Sequence, residues 1–98
     1  MIQSFKTKGT EDLYNGIRSK AARKACPEAL RRTAVRKLDQ IDSASIPADL
    51  RVPPGNRLEA LSGERKGQHS VRVNDQYRIC FRWHRGDAYE VEIVDYHR

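Results

Sequence analysis

The hydrophobic pattern of the chain changes period once, near Arg57, and this change limits the possible folds more than any other feature. Before it, apolar residues recur at helical spacing, at Leu30, Ala34, Leu38 and Ile41. After it, apolar and polar residues alternate, as in strands with one buried face. Residues 43–56 lie between the two patterns and are predicted to form a linker, because they include Pro47, Pro53, Pro54 and Gly55.

The first half of the chain is predicted to be mainly helical. Residues 2–5 alternate like a short strand, and Thr10 is predicted to cap a short helix with Glu11 and Asp12 in its first turn. Pro27 is predicted to begin a longer helix that continues to about Ser43. Eight basic residues and one acidic residue occur between positions 18 and 37, mostly opposite the apolar stripe. That basic face is either solvated or a surface for RNA or an acidic partner.

The alternating pattern of the second half of the chain predicts four strands separated by short turns. They are centred on Leu58 and Ala60, on residues 69–73, on residues 77–83 and on residues 89–93. Together with the short strand at the start, the expected architecture is an α+β fold, with two or three N-terminal helices packed on an antiparallel sheet of about five strands. The 98 residues are expected to form one domain, 1–98.

The register of the central hairpin follows from its hydrophobic pattern. A two-residue loop would place apolar residues opposite charged ones, whereas a three-residue loop at 74–76 pairs Val73 with Tyr77 and Val71 with Ile79. In that register Arg72 lies opposite Arg78.

An arginine-rich sheet face follows from this register, carrying Arg72, Arg78, Cys80 and Arg82. Two like charges directly across from one another are destabilising unless an anion lies between them. The alternative is that these arginines extend into water or pair with Glu90 and Glu92 of the next strand. The pattern predicts an anion-binding face.

Composition narrows the class of partner. The net charge of +6 favours a polyanion, with nucleic acid first and an acidic protein second. Cys26 and Cys80 have neither a disulfide-framework nor a zinc spacing, so no metal or cofactor is expected. The first eight residues show no export signal and no apolar run is long enough for a membrane span, so a cytoplasmic protein is expected.

Several motifs resemble the HigB family of killer toxins within the RelE/ParE superfamily. The resemblance is carried by L-x-G-x-R-x-G at 61–67, N-D-Q-Y-R-I at 74–79 and D-Y-H at 95–97, and the opening M-I-Q-S-F-K is also similar. It implies a RelE-like fold and a type II toxin that cleaves messenger RNA in the 30S A site of the ribosome. It further implies neutralisation by a HigA-like helix-turn-helix antitoxin, with operator DNA contacted only through that antitoxin.

The resemblance also indicates the site. Its catalytic candidates are Arg78, Asp95, Tyr96 and His97, and Glu59 stands where some members carry a histidine. The candidates for RNA binding are Arg72, Lys66, Arg65 and Arg82.

These residue types suit metal-free RNA cleavage, in which the 2′-hydroxyl is the nucleophile. Arg78, with Arg72 beside it, can stabilise the phosphate charge that builds in the transition state. His97 is the natural acid and Glu59 or Asp95 the base, although the roles can be reversed and Asp95 can instead orient the imidazole.

Two other functions remain open at this point. ParE-like proteins share the fold and inhibit DNA gyrase without cutting nucleic acid, and fold analogy cannot separate the two activities. The terminal D-Y-H favours the nuclease. A non-catalytic RNA-binding module would expose aromatic residues for base stacking, but the aromatic residues here mostly fall on the core face.

Overall fold

A computed structural model describes residues 1–96 and confirms the α+β class. The helices are α1 (Lys8–Tyr14), α2 (Lys20–Ala25) and α3 (Arg31–Ser43). The strands are β1 (Glu59–Ala60), β2 (Gln68–Arg72), β3 (Tyr77–His84) and β4 (Asp87–Asp95). The linker contains only short 3₁₀ turns, at Pro47–Arg51 and Pro54–Asn56. No helix among the described residues is long and apolar enough to span a bilayer.

The four strands form an antiparallel sheet in the order β1-β2-β3-β4. Val71 lies opposite Ile79 and Arg72 opposite Arg78, which confirms the predicted register of the hairpin. Arg72 and Arg78 therefore share a face, the one opposite the buried Val71 and Ile79.

The expected fifth strand does not form, so the prediction of about five strands was one too many for the described residues. Residues 2–5 make only two isolated bridges, from Ile2 to Ala88 and from Phe5 to Val91, and both are parallel. The reason is a bulge in β4, where Glu90 adopts a φ of +52° and the pairing with β3 shifts. The extra residue interrupts this edge, so a continuous ladder cannot form along it.

The first helix begins earlier than the sequence suggested. Its cap is Thr7, whose Oγ1 accepts a hydrogen bond of 3.3 Å from the Thr10 amide. Thr10 is fully buried and its Oγ1 accepts a 3.1 Å bond from the Ile93 amide, which ties α1 to β4. The prediction of Thr10 as the cap was therefore wrong because its hydroxyl is used in a tertiary contact.

The predicted long helix begins four residues later than Pro27. The proline precedes a 3₁₀ turn at Glu28–Leu30, and α3 begins only at Arg31. The prediction of two or three helices allowed for α2 but did not locate it, because a helix with Ala22 as its one buried residue has no apolar stripe. Helix α2 lies so close to α1 that a Cβ on Gly9 would be 2.4 Å from the Ala21 carbonyl oxygen, and this close approach requires glycine.

The core lies between the helices and one face of the sheet. Leu38 and Ile41 of α3 are fully buried with Ile79 and Phe81 of β3 and Val91 of β4. Because every second residue of β2 and β3 enters this core, the alternate residues are displayed on the other face. The arginine-rich face is thus a direct consequence of how the core is packed.

Candidate functional site

An open pocket of about 500 Å³ lies on the arginine-rich face, at the turn end of the β2–β3 hairpin. Its lining is predominantly charged or polar, and three of the residues are arginines. The lining residues are Arg57, Glu59, Arg72, Asn74, Asp75, Gln76, Arg78 and Tyr96. Four of the candidates predicted from the sequence, Glu59, Arg72, Arg78 and Tyr96, therefore meet in one place.

Arg78 is the most firmly held cation in the pocket. Its side chain is only 11% exposed. Nε donates to Ser70 Oγ at 2.8 Å, and Nη2 donates to the Arg57 carbonyl at 2.6 Å. Glu59 Oε1 lies 4.0 Å from Nη2, at the limit of an ion pair. Because the close partners are neutral acceptors, they fix the guanidinium without neutralising its charge.

Tyr96 lies beside Arg78 at the end of β4. Its amide donates to the Gln76 carbonyl at 2.6 Å, which holds the chain against the hairpin turn. The tyrosine ring centroid is 6.0 Å from Arg78 Cζ, within the range of a cation–π contact. Tyr96 thus forms one wall of the pocket and packs on the cation.

Arg72 is paired within the chain. Its Nη2 donates to Asp75 Oδ1 at 2.5 Å, and the Asp75 side chain is 98% exposed. The hydrogen bond from Arg72, together with the positive charges of Arg72 and Arg57, holds the pKa of Asp75 below its ordinary value. An exposed carboxylate of this kind can be displaced by a substrate phosphate, because it gains little from burial.

The two candidate bases lie on different faces of the sheet. Glu59 pairs in register with Ser70, whose hydroxyl holds Arg78, so Glu59 is on the arginine-rich face. Asp95 pairs with Tyr77, which packs against the core, and its Oδ2 accepts a 3.1 Å bond from Gln76 Nε2. Paired residues in an antiparallel ladder project to the same side, so Asp95 shares the face of Tyr77. His97, the candidate acid, lies outside the described residues.

The other candidates for RNA binding lie outside this pocket. Arg65 Nη1 donates to Glu92 Oε1 at 2.9 Å and to Gln68 Oε1 at 3.1 Å, and the bond to Glu92 raises the pKa of Arg65. Arg82 pairs with Glu90 at 2.8 Å. The predicted alternative, in which arginines of this face pair with Glu90 and Glu92, therefore holds for Arg82 and Glu90, whereas Glu92 is paired with Arg65.

Lys66 also lies outside the pocket. It is exposed, and its carbonyl accepts a 3.5 Å bond from Arg82 Nη1. Among residues 1–96, no group of three or more histidine, cysteine, aspartate or glutamate side chains is arranged to hold a metal ion.

The sequence did not indicate several residues of the site, among them Arg57, Ser70 and Asp75, nor the turn residues Asn74 and Gln76. Strand alternation was a signal for Ser70, since it lies two residues before Arg72 and so on the same face. Arg57 lies in the loop before β1, two residues ahead of Glu59. Its role depends on the backbone conformation of the linker, which no local pattern indicates.

The family model and the relatives that match this chain all point to the same toxin family. The HigB-like toxin family, described as the RelE-like toxin of the type II toxin–antitoxin system HigB, matches residues 3–97. Toxin HigB-1 of Vibrio cholerae serotype O1 is 41% identical over 88 residues, which cover 90% of each chain. Endoribonuclease HigB of Proteus vulgaris is 34% identical over 101 residues, covering 99% of this chain and 100% of the relative.

A solved structure supports the fold alone. The structure of the heterotetrameric YoeB–YefM toxin–antitoxin complex from Staphylococcus aureus contains a chain with a TM-score of 0.61 and 13% sequence identity. The match covers 100% of this chain and 99% of that one. At this level of identity the likeness shows a common architecture and does not transfer residues.

Proposed function

The chain belongs to the HigB-like family of RelE-like toxins of type II toxin–antitoxin systems, and from this premise we propose that it is an endoribonuclease that cleaves messenger RNA on the ribosome. The family match and the relative named Endoribonuclease HigB support the nuclease over the gyrase inhibitor. The structural observation that carries the proposal is Arg78, a partly buried cation fixed by neutral acceptors beside a carboxylate and a tyrosine.

The arrangement suits the chemistry of RNA cleavage. The 2′-oxygen attacks the adjacent phosphorus while the bond from phosphorus to the 5′-oxygen breaks, leaving a 2′,3′-cyclic phosphate and a 5′-hydroxyl. Negative charge accumulates on the phosphate oxygens in the transition state of this displacement. Arg78 can donate to those oxygens from a position that is already set, so little reorganisation is needed when the charge develops.

Proton transfer requires one group on each side of the phosphate. We assign Glu59 as the base that takes the 2′-hydroxyl proton, because it lies on the same sheet face as Arg78 and 4.0 Å from it. His97 is assigned as the acid that protonates the leaving 5′-oxygen, from its position in the terminal D-Y-H motif. Asp95 shares the face of Tyr77, and this placement favours an orienting role for it.

Arg72 and Tyr96 complete the site by binding the substrate. Arg72 exchanges Asp75 for a phosphate of the RNA backbone, and the Tyr96 ring offers a surface for a base. Outside the pocket, Lys66 is an exposed cation, whereas Arg65 and Arg82 are paired with Glu92 and Glu90. The partner that restrains the activity is proposed to be a HigA-like helix-turn-helix antitoxin, and operator DNA is contacted through it. The place of action is the cytoplasm, where mRNA is translated.

The direct test compares the wild-type protein with Arg78→Ala in a purified translation system, with and without ribosomes. RNA ends are mapped by primer extension and the end groups identified. We expect cuts within translated codons for the wild type and a loss of about 100- to 1,000-fold in rate for Arg78→Ala. Arg82→Ala is the control, because Arg82 is on the same strand and face but outside the pocket.

Two outcomes would contradict the proposal. If Arg78→Ala cleaved as fast as Arg82→Ala, Arg78 would not act on the transition state. If expression of the wild type stopped growth while transcripts stayed intact and chromosomes broke, gyrase inhibition would be the activity.

A further inference from the structure

We propose that Arg57 is a further substrate-binding residue: its side chain binds the RNA backbone beside Arg78, and its backbone carbonyl positions Arg78. This inference rests on the proposed ribonuclease function and extends it by one residue. Arg57 lies two residues before the first residue of β1, at the point where the linker reaches the pocket.

The backbone of Arg57 is in the left-handed region, with φ of 43° and ψ of 56°. This conformation is uncommon for a long side chain and persists only where the surroundings enforce it. Here it directs the Arg57 carbonyl at Arg78, whose Nη2 donates to it at 2.6 Å. The conformation therefore supplies one of the two close hydrogen bonds that orient the Arg78 guanidinium.

The preceding residue anchors this conformation to the helical layer. Asn56 is fully buried, and its side-chain amide donates to Gln40 Oε1 at 3.0 Å and to the Leu50 carbonyl at 3.1 Å. Its Oδ1 accepts a hydrogen bond from Lys37, which is itself buried. Gln40 and Lys37 belong to α3, so the loop that carries Arg57 is fixed to the core rather than free to move.

The side chain of Arg57 is the uncommitted cation of the pocket. Arg72 is paired with Asp75, and Arg78 is bonded to Ser70 and to the Arg57 carbonyl. Within residues 1–96, the Arg57 guanidinium has no hydrogen bond or ion pair of its own, and the residue is exposed. Its charge nevertheless acts in the pocket, because it helps to lower the pKa of Asp75.

The chemistry that fits this cation is a phosphodiester of single-stranded RNA. An arginine that lines the same pocket as Arg78 can contact a phosphate of the same strand as the one Arg78 grips. An acidic protein segment is the other class of partner that an exposed arginine could meet. The position of Arg57 inside the pocket, together with Glu59, favours the RNA and makes the protein an outcome of the test.

Arg57→Gly is the variant that separates the two roles. Glycine adopts the left-handed conformation readily, so the carbonyl bond to Arg78 is kept while the side chain is removed. Arg57→Lys keeps the positive charge but replaces the planar guanidinium, which can donate two parallel hydrogen bonds, with a single ammonium group. The matched control is Arg51→Ala, which removes the same charge from an exposed arginine of the same linker that does not line the pocket.

The measurements are binding of a non-cleavable 2′-O-methyl oligoribonucleotide across a salt series, and the kcat and KM of cleavage in the ribosomal system. We expect Arg57→Gly to weaken binding and to raise KM by about tenfold with kcat within about twofold. The slope of log affinity against log salt should fall by about 0.7, the value for one lost contact to a single strand. Arg57→Lys should recover most of the slope, and Arg51→Ala should resemble the wild type.

The inference is overturned if Arg57→Gly binds the oligonucleotide like Arg51→Ala, or if it lowers kcat with KM unchanged. It is also overturned if the change weakens only the complex with an acidic antitoxin and not RNA binding. A wild-type protein that cleaves no RNA in the ribosomal system would instead contradict the proposed function itself. Thermal unfolding of each variant confirms that the compared proteins are folded.

Discussion

Arg72 and Arg78 lie directly opposite one another on neighbouring strands, and each is held by a different kind of partner. Arg72 bonds to the charged Asp75 in the adjacent turn, whereas Arg78 bonds to the neutral Ser70 hydroxyl and the Arg57 carbonyl. The repulsion expected between the two like charges is thereby reduced, because the charge of Arg72 is offset by Asp75 while that of Arg78 is not offset by a close carboxylate. Arg72 is thus paired with a carboxylate, and Arg78 is a fixed positive charge.

Asp75 is expected to compete with RNA for Arg72. Asp75→Asn removes this competitor, so affinity for a 2′-O-methyl oligoribonucleotide should rise by about two- to fivefold, as expected for an exposed ion pair. The control is Glu28→Gln, which removes one negative charge from the exposed pair with Arg18 in the helical layer. Equal gains for the two variants would show a general effect of net charge.

The pH dependence of the same pair has a definite sign. Because the pKa of Asp75 is lower in the folded protein than the ordinary 3.8, the pair stabilises the fold above that pH. The contribution is lost as the pH falls through the lowered pKa. Asp75→Asn and the wild type should therefore become more alike in thermal stability as the pH falls below 3.8, and an unchanged difference would contradict the pairing.

The catalytic roles of Glu59 and Asp95 can be distinguished by replacing each carboxylate with the corresponding amide side chain. Glu59→Gln should reduce single-turnover cleavage by about 100- to 10,000-fold and remove the limb of the pH–rate profile that reports the base. Asp95→Asn should reduce the rate less and keep that limb, because Asp95 shares the face of Tyr77. The reverse order of effects would assign the base to Asp95.

Ser70 is predicted to position Arg78. Ser70→Ala should lower kcat by about 10- to 100-fold, the range for a hydrogen bond to a charged group, with KM little changed. Ser70→Thr keeps the hydroxyl and should recover much of the rate. The ¹⁵Nε resonance of Arg78 should be sharp in the wild type and broadened in Ser70→Ala. A sharp Arg78 signal in Ser70→Ala would show that the hydroxyl does not hold the guanidinium.

Arg65 is predicted to stabilise the fold rather than to bind RNA. Its bond to Glu92, a residue only 9% exposed, closes the segment after β1 over the arginine-rich face. Arg65→Ala should lower the free energy of unfolding by about 1–2 kcal/mol and leave oligonucleotide affinity within about twofold. A double-mutant cycle with Glu92→Gln measures the coupling. A large loss of affinity with unchanged stability would restore the RNA-binding role.

The sequence was sufficient for the features that depend on periodicity. Alternation in β2 and β3, together with the loop at 74–76, determined the register of the hairpin, because a slip of one residue would reverse every side chain between core and solvent. This placed Arg72 opposite Arg78. The family motifs added Glu59 and Tyr96, and both line the same pocket.

The features that the sequence did not determine depend on contacts between distant segments. Thr10 was predicted as a cap but bonds to Ile93, and the predicted first strand is interrupted by the bulge at Glu90. Both results arise from packing against β4, which local propensity cannot report.

Tertiary structure alone decided which charged side chains of the pocket are paired, and with which partners. The carbonyl of Arg57 reaches Arg78 because Asn56 is bonded to α3, and Arg72 is paired because Asp75 of the hairpin turn lies against it. The sequence by itself determined which side chains share a face of the sheet, since that follows from the two-residue period of a strand with one buried side. It could not determine which of those charges are already paired, because the partners come from loops whose positions depend on the completed core.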